Sequence, residues 1–169
     1  MPVFSCDYRM DKKDLKLLEI LQRDASVPLA QLAQEVNLSP TPCWRRIQKL
    51  QEAGVIARQV VLCDAGKLNV PLTVFVSIRT SQHNEAWTRR FVEAAAGIPE
   101  IVEIYRLNGE IDYLLKLAVP DIARYDAVYK RLIQSVELAD VSSAFAMEVI
   151  KSSTVLPLDY ALERRQGAA

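Results

Sequence analysis

Apolar residues recur through the first third of the chain with the period of a helix. Leu17, Leu18 and Leu21 fall on one face of a predicted helix over residues 12–23, with Leu15 and Ile20 beside them and Asp11 in the N-cap position. Pro28 opens a second helix, in which Leu29, Leu32, Ala33 and Val36 stand at i, i+3, i+4 and i+7. The stretch Asn37-Leu38-Ser39 breaks that rhythm. A third helix then follows in NLSPTPCWRRIQKLQEAGVI, residues 37–56. Pro42 biases Thr41 away from helical dihedrals, so the expected start is Thr41 as N-cap with Pro42 at the first helical position. Ser39 and Pro40 shape the turn before it. Gly54 is placed to end the helix.

The period changes after this point. Residues 56–62 (IARQVVL) predict a short strand, and residues 63–71, with Asp64, Gly66 and Pro71, a hinge. Alternating β-branched positions predict strands over 72–79, 101–107, 113–119 and 141–149, with helices over 85–96 and 122–134 between them. Asn108-Gly109 is a strong turn signal. The order β-α-β-β-α-β defines a ferredoxin-like domain, so the chain is α+β: an N-terminal helix-turn-helix (winged-helix-like) domain followed by a βαββαβ domain. The expected boundaries are 1–62, a hinge at 63–71, 72–158, and a C-terminal tail at 159–169. One face of the sheet is left bare by its helices. It is expected to be apolar and to pack on a second copy, giving a homodimer.

Composition narrows the function. The 169 residues are 50% hydrophobic and 25% charged, as in a globular protein. There is no apolar run of membrane length, and residues 1–14 lack a signal-peptide core, so a cytoplasmic protein is expected. Cys6, Cys43 and Cys63 have no CxxC spacing and are expected to be ordinary reduced thiols, Cys43 in a core. The single histidine, His83, has no metal-ligating neighbours in sequence, and no phosphate-binding or nucleophile-elbow motif occurs; no enzyme, metal or cofactor is expected.

Net charge is zero, yet between Ser39 and Leu62 the cations Arg45, Arg46, Lys49 and Arg58 face only one acid, Glu52. On a helical wheel Cys43, Ile47, Leu50 and Gly54 point inward, Arg45, Gln48, Lys49 and Glu52 point outward, and Trp44 and Arg46 lie at the boundary. The third helix is therefore expected to enter duplex DNA. Arg45, Gln48 and Lys49 are the candidates for base edges or adjacent phosphates. Ser39, Pro40, Thr41, Trp44, Arg46 and Arg58 are candidates for the backbone, although Trp44 also suits a bracing role. An adaptor that uses the same helices to bind protein is the alternative, and salt dependence separates the two.

The segments LSPTPCWRRIQKLQEAGVI, NGEIDYLLKLAV and FAMEVIK together resemble the Lrp/AsnC family of feast/famine transcription regulators, over about residues 10–158. The resemblance implies dimers assembling to an octamer, and a small amino acid bound between subunits near the turn of the sensor domain. On this chain those positions are Asn108, Gly109, Glu110, Asp112 and Tyr113, completed by Ser142, Ser143 and Ala144. Physically, Gly109 lets amides approach a carboxylate, and Asp112 or Glu110 can pair with an ammonium group; an ordinary hairpin with solvated acids is the plainer reading of the same residues. TPCWRR with SSAFAMEVIK is similar to a cysteine-responsive branch, so the implied effector is of the cysteine, leucine or methionine class. Asn108 departs from the hydroxyl residue common there, and Ala144 is smaller than usual.

Overall fold

Asp11 starts the first helix with a reciprocal cap. Its carboxylate accepts the amides of Lys13 (2.8 Å) and Asp14 (3.0 Å), and the Asp14 carboxylate accepts the amide of Asp11 (2.9 Å). In this computed structural model, which describes residues 8–162, α1 spans Lys12–Arg23, α2 Leu29–Glu35 and α3 Pro40–Glu52. Asn37 adopts the left-handed conformation (φ 52°) after α2. The Leu38 amide then returns to the Ala33 carbonyl (2.8 Å) and that of Asn37 to Gln34 (3.0 Å), a Schellman closure with asparagine in the glycine position. Leu17, Leu32, Ala33, Val36 and Cys43 form the core of the three helices, with Ile20, Leu21 and Ile47 packed on it.

Helix α3 begins earlier than expected. Ser39 is its N-cap residue and Pro40 its first helical position, and the Cys43 amide makes a helical bond to Ser39 (3.2 Å). Pro42 is accommodated because amides in the first turn have no intrahelical acceptor, so a proline there forfeits nothing. At the other end Gly54 (φ 71°) reverses the chain and lets the Ile56 amide reach the Leu50 carbonyl (3.0 Å).

The strand expected over residues 56–62 is absent. Val60, Val61 and Leu62 are exposed and unpaired in strand terms. A β-prone sequence becomes a strand only when another strand accepts its ladder. The expected hinge holds a compact turn instead: the Asp64 carboxylate accepts the amides of Gly66 (2.9 Å) and Lys67 (3.1 Å).

The second unit contains β1 (Leu72–Arg79), α4 (Glu85–Ala96), β2 (Ile101–Arg106), β3 (Tyr113–Val119), α5 (Ile122–Ser135) and β4 (Asp140–Phe145). The sheet order is β2-β3-β1-β4, with all neighbours antiparallel. Val74, Val76 and Ile78 of β1, with Tyr113, Leu115 and Leu117 of β3, form the helix-covered face. They pack on Trp87 and Phe91 of α4 and Val128 and Leu132 of α5. Strand β4 is shorter than expected. The Ala146 amide bonds to Thr73 (3.0 Å), and β1 offers little beyond that, so residues after Phe145 lose their partner.

The bare face, expected to be apolar, is mixed, with Ala118 and Ala144 also on it. The register places Thr73, Phe75, Ser77, Leu114, Lys116, Glu103 and Tyr105 on it. Lys116 donates to Glu103 (2.8 Å), as does the Tyr105 hydroxyl. The Lys116 and Tyr105 bonds hold the Glu103 carboxyl below its ordinary range.

Two compact units result. Among the described residues one contains residues 8–61 together with 151–162, and the other contains Leu62–Ile150. Lys151 onward thus groups with the helices, whereas the sequence puts the sensor boundary at residue 158. The Gln22 side chain brackets Leu156, donating to its carbonyl (3.3 Å) and accepting its amide (2.7 Å). A short 3-10 turn, Asp159–Leu162, ends the described chain. Cys6 and residues 163–169 of the tail lie outside the described residues.

Candidate nucleic-acid interface and effector turn

The inner side of α3 is fixed by Cys43 and Leu50, both fully buried. Burial raises the pKa of the Cys43 thiol, in keeping with a small core residue. The opposite side is open. Ser39, Pro40, Thr41, Trp44, Arg45 and Lys49 are exposed, as is Arg58 beyond the helix, and Gln48 is half-buried with its amide on Gln51 (3.0 Å). Among the described residues no ion pair involves Arg45, Lys49 or Arg58. Trp44 is 52% exposed and so does not brace the helices from within.

Arg46 differs from its neighbours. Its Nη1 lies 2.8 Å from Asp11 Oδ2 and 2.8 Å from Asp14 Oδ1, and Asp14 is 1% exposed. Asp14 raises the pKa of the guanidinium, and burial only partly opposes this. Burial pushes the Asp11 carboxyl up, but the Asp14 amide, the Arg46 guanidinium and the Lys13 amide outweigh it and hold the group below its ordinary range. The cation expected on a DNA backbone is thus engaged inside the unit. Asp14 carries a sequence signal, since Asp-x-x-Asp before an apolar run is a capping-box pattern. Its partner 32 positions away carries none.

In the second unit the β2–β3 connection is a loop over residues 107–112 rather than a two-residue hairpin turn. The Leu107 amide and the Asp112 carbonyl close it (2.8 Å). Asn108, Gly109 and Glu110 are exposed at its tip, with Gly109 at φ 141°. A Cβ on Gly109 would meet nothing within 4 Å, so backbone conformation rather than crowding requires the glycine. The Asp112 carboxylate accepts the Thr80 amide (2.8 Å), and its other oxygen lies 3.8 Å from His83 Nδ1. Thr80 and His83, in the loop after β1, border the turn although the sequence gives no sign of it.

Two expected effector residues face elsewhere. Tyr113 is 4% exposed, on the helix-covered side, with its ring 4.6 Å from Phe91 and its hydroxyl 3.4 Å from that of Thr88. Its position follows from strand alternation: it pairs with buried Ile78. Ser143 also faces the helices and hydrogen-bonds Tyr125. Ser142 and Ala144 are exposed on the other face, and Ser142 pairs with Ser77. The 107–112 loop, the end of β1 and the start of β4 therefore meet at one end of the sheet. A shallow apolar cleft lined by Pro71, Leu72, Pro120 and Ile122 includes none of the expected effector residues.

A three-helix unit with cations on its outer helix, on one chain with an antiparallel β2-β3-β1-β4 sheet and its two helices, defines a ligand-responsive DNA-binding regulator as the class. The chain belongs to the Lrp/AsnC family of transcription regulators. Residues 10–57 match a winged helix-turn-helix DNA-binding domain and residues 73–156 the Lrp/AsnC ligand-binding domain. It is 44% identical to the glutamate uptake regulatory protein of Zymomonas mobilis (strain ZM4) over 95% of this chain and 98% of that one. It is 46% identical to the DNA-binding transcriptional activator DecR of Escherichia coli K12, over 89% of this chain and 99% of the other. A solved AsnC family transcriptional regulator from Agrobacterium tumefaciens superposes with a TM-score of 0.86 at 58% identity, covering 89% and 99% of the two chains. A regulator from Neisseria meningitidis, solved as an L-Met complex, gives 0.85 at 30%, covering 90% and 99%. Among the described residues no helix is long and apolar enough to cross a membrane.

Proposed function

We propose that this cytoplasmic regulator reads duplex DNA with α3 in the major groove and that a small amino acid tunes its DNA binding or its assembly. Arg45, Gln48 and Lys49 meet base edges and nearby phosphates. Ser39, Pro40, Thr41, Trp44 and Arg58 run along the backbone. The single observation that carries this reading is the two-sided character of α3, with Cys43 and Leu50 buried and Arg45 and Lys49 open and unpaired among the described residues.

The effector binds at the end of the sheet that carries Asn108, Gly109, Glu110 and Asp112, with Ser142 and Ala144 on the open face of β4 beyond β1. Loop amides take its carboxylate and Asp112 its ammonium. It is of the cysteine, leucine or methionine class, and the L-Met complex of the Neisseria relative supports an amino acid of this kind. The protein works as a homodimer that assembles to an octamer. Several reading heads then act together, which offsets the modest affinity expected of a chain with no net charge. The effector acts only through unequal affinity for two arrangements of the dimers. No catalytic step is part of this reading.

Gel shifts across a salt series, with a thermal-shift screen of the amino acids, test it. Binding that weakens steeply with salt and a stabilising shift from one amino-acid class are expected. Salt-indifferent binding would point to a protein partner instead.

A further inference from the structure

One buried carboxylate in the helical unit has no place in the reading above. Asp14 accepts three hydrogen bonds: Oδ1 from Arg46 (2.8 Å), and Oδ2 from the Asp11 amide (2.9 Å) and the Tyr8 hydroxyl (3.1 Å). It lies in the first turn of α1, whereas Arg46 lies near the middle of α3. A second tie runs from the same turn of α1, where Lys13 Nζ donates to the Asn37 carbonyl (3.4 Å) in the reversal between α2 and α3. The first turn of α1 thus holds α3 at its middle and the reversal that leads into it.

We propose that Arg46 is a positioning residue: the Asp14–Arg46–Asp11 ion triad sets the angle and depth at which α3 presents Arg45 and Lys49, and Arg46 does not itself contact DNA. The proposal rests on the reading of α3 as the groove helix. Arg46 adjoins Arg45 in sequence and sits three residues before Lys49, so any roll of α3 that moves it moves both. Swinging Arg46 out to a phosphate would leave Asp14 charged, buried and without its cation, a larger loss than an exposed phosphate contact returns.

The test uses the full-length protein and two duplexes: the best binder selected by the wild type from a random-sequence library, and a scrambled duplex of the same composition. Asp14→Asn is decisive because two ideas predict opposite signs. If Arg46 is a DNA contact held back by acids, removing a negative charge tightens binding to both duplexes. If Arg46 positions the helix, affinity for the selected duplex falls by about ten- to hundredfold, the equivalent of one lost base-edge contact, while affinity for the scrambled duplex holds or rises. Arg46→Met is expected to lower the specificity ratio while leaving the salt slope unchanged. A slope reduced by about 0.9 with equal losses on both duplexes would overturn the proposal.

All measurements are made where circular dichroism shows the variant folded. Should Asp14→Asn not fold, Asp11→Ser takes its place, because serine keeps the N-cap but not the ion pair; an unchanged specificity ratio there counts against the proposal. Arg45→Ala separates the underlying reading. If it leaves selected-duplex binding intact, α3 is not the groove helix, whatever the Arg46 variants do.

Discussion

The carboxylate of Asp112 accepts the backbone N–H of Thr80 at 2.8 Å. The Asp112 amide also donates to the Ile78 carbonyl (2.9 Å), so the residue fastens the 107–112 loop to the end of β1 while one oxygen is left toward His83. On the proposed reading the residue that fastens the loop is also the one that pairs with the ammonium group of the effector. Asp112→Ala is expected to destabilise the α/β unit by about 1–3 kcal/mol in urea unfolding, since the Thr80 amide loses its acceptor. Asp112→Asn keeps an acceptor. It should recover most of that stability without restoring the thermal shift given by the amino acid, and a full shift in the Asn variant would remove Asp112 from the ammonium site.

Ser143 and Ser142 are neighbours on opposite faces of β4, so they should respond differently. Ser143→Ala leaves the Tyr125 hydroxyl without its partner and is expected to cost about 1 kcal/mol of stability with the effector response intact. Ser142→Val, on the open face, is expected to weaken the effector response with little change in stability. A reversed pattern in thermal-shift titrations would move the ligand to the helix-covered side.

The exposed cations of the reading head should separate by role. Arg45→Ala is expected to cost about 1–3 kcal/mol on the preferred duplex and to relax specificity at one position. Arg58→Ala should weaken all duplexes alike and reduce the salt slope by about 0.9. Quantitative gel shifts at several salt concentrations distinguish the two outcomes.

Asp11 makes the helical unit sensitive to acid. Its carboxyl titrates below the ordinary value of 3.8 in the folded protein, so the unfolded chain binds that proton more tightly. The stabilisation is therefore fully present above about pH 4 and is lost as pH falls through the lower folded value. Thermal melts between about pH 2 and pH 6 should show this loss, with a shallower acid dependence in Arg46→Met, where the guanidinium's share of the depression is gone. An unchanged profile in that variant would mean that the Lys13 and Asp14 amides alone hold the carboxyl down.

The bracket formed by Gln22 around Leu156 should be visible in hydrogen exchange. Gln22→Ala is expected to speed exchange at the Leu156 amide sharply, and to change overall stability by less than about 1 kcal/mol, because Leu156 is otherwise exposed. Unaltered protection at that amide would show that the rest of the segment, not the glutamine, secures it.

Where the apolar period was long, the chain announced its elements: α1, α2, α4, α5 and the strands β1 and β3 match the pattern closely. The misses share a cause, which is that their determinants lie elsewhere in the chain. Residues 56–62 have strand composition but no ladder partner. The end of β4 is set by where β1 begins, and no property of FAMEVIK encodes that. Arg46 sits at the edge of its helical wheel, and only the fold brings Asp14 to it. The family resemblance implies Tyr113 and Ser143 at the ligand; alternation about Ile78 and Val76 turns both toward the helices. The start of α3 is the local exception: a first turn needs no amides, and this outweighs the bias of Pro42 on Thr41.

The helical unit draws on two separate stretches of the described chain, residues 8–61 and 151–162. Its gene segment is therefore not a cassette that can be cut out with one pair of scissors. A chimaera that transplants only the first 61 residues onto a foreign sensor would arrive without the peptide that Gln22 grips, and a graft that keeps this contact carries both pieces or nests the new sensor between them.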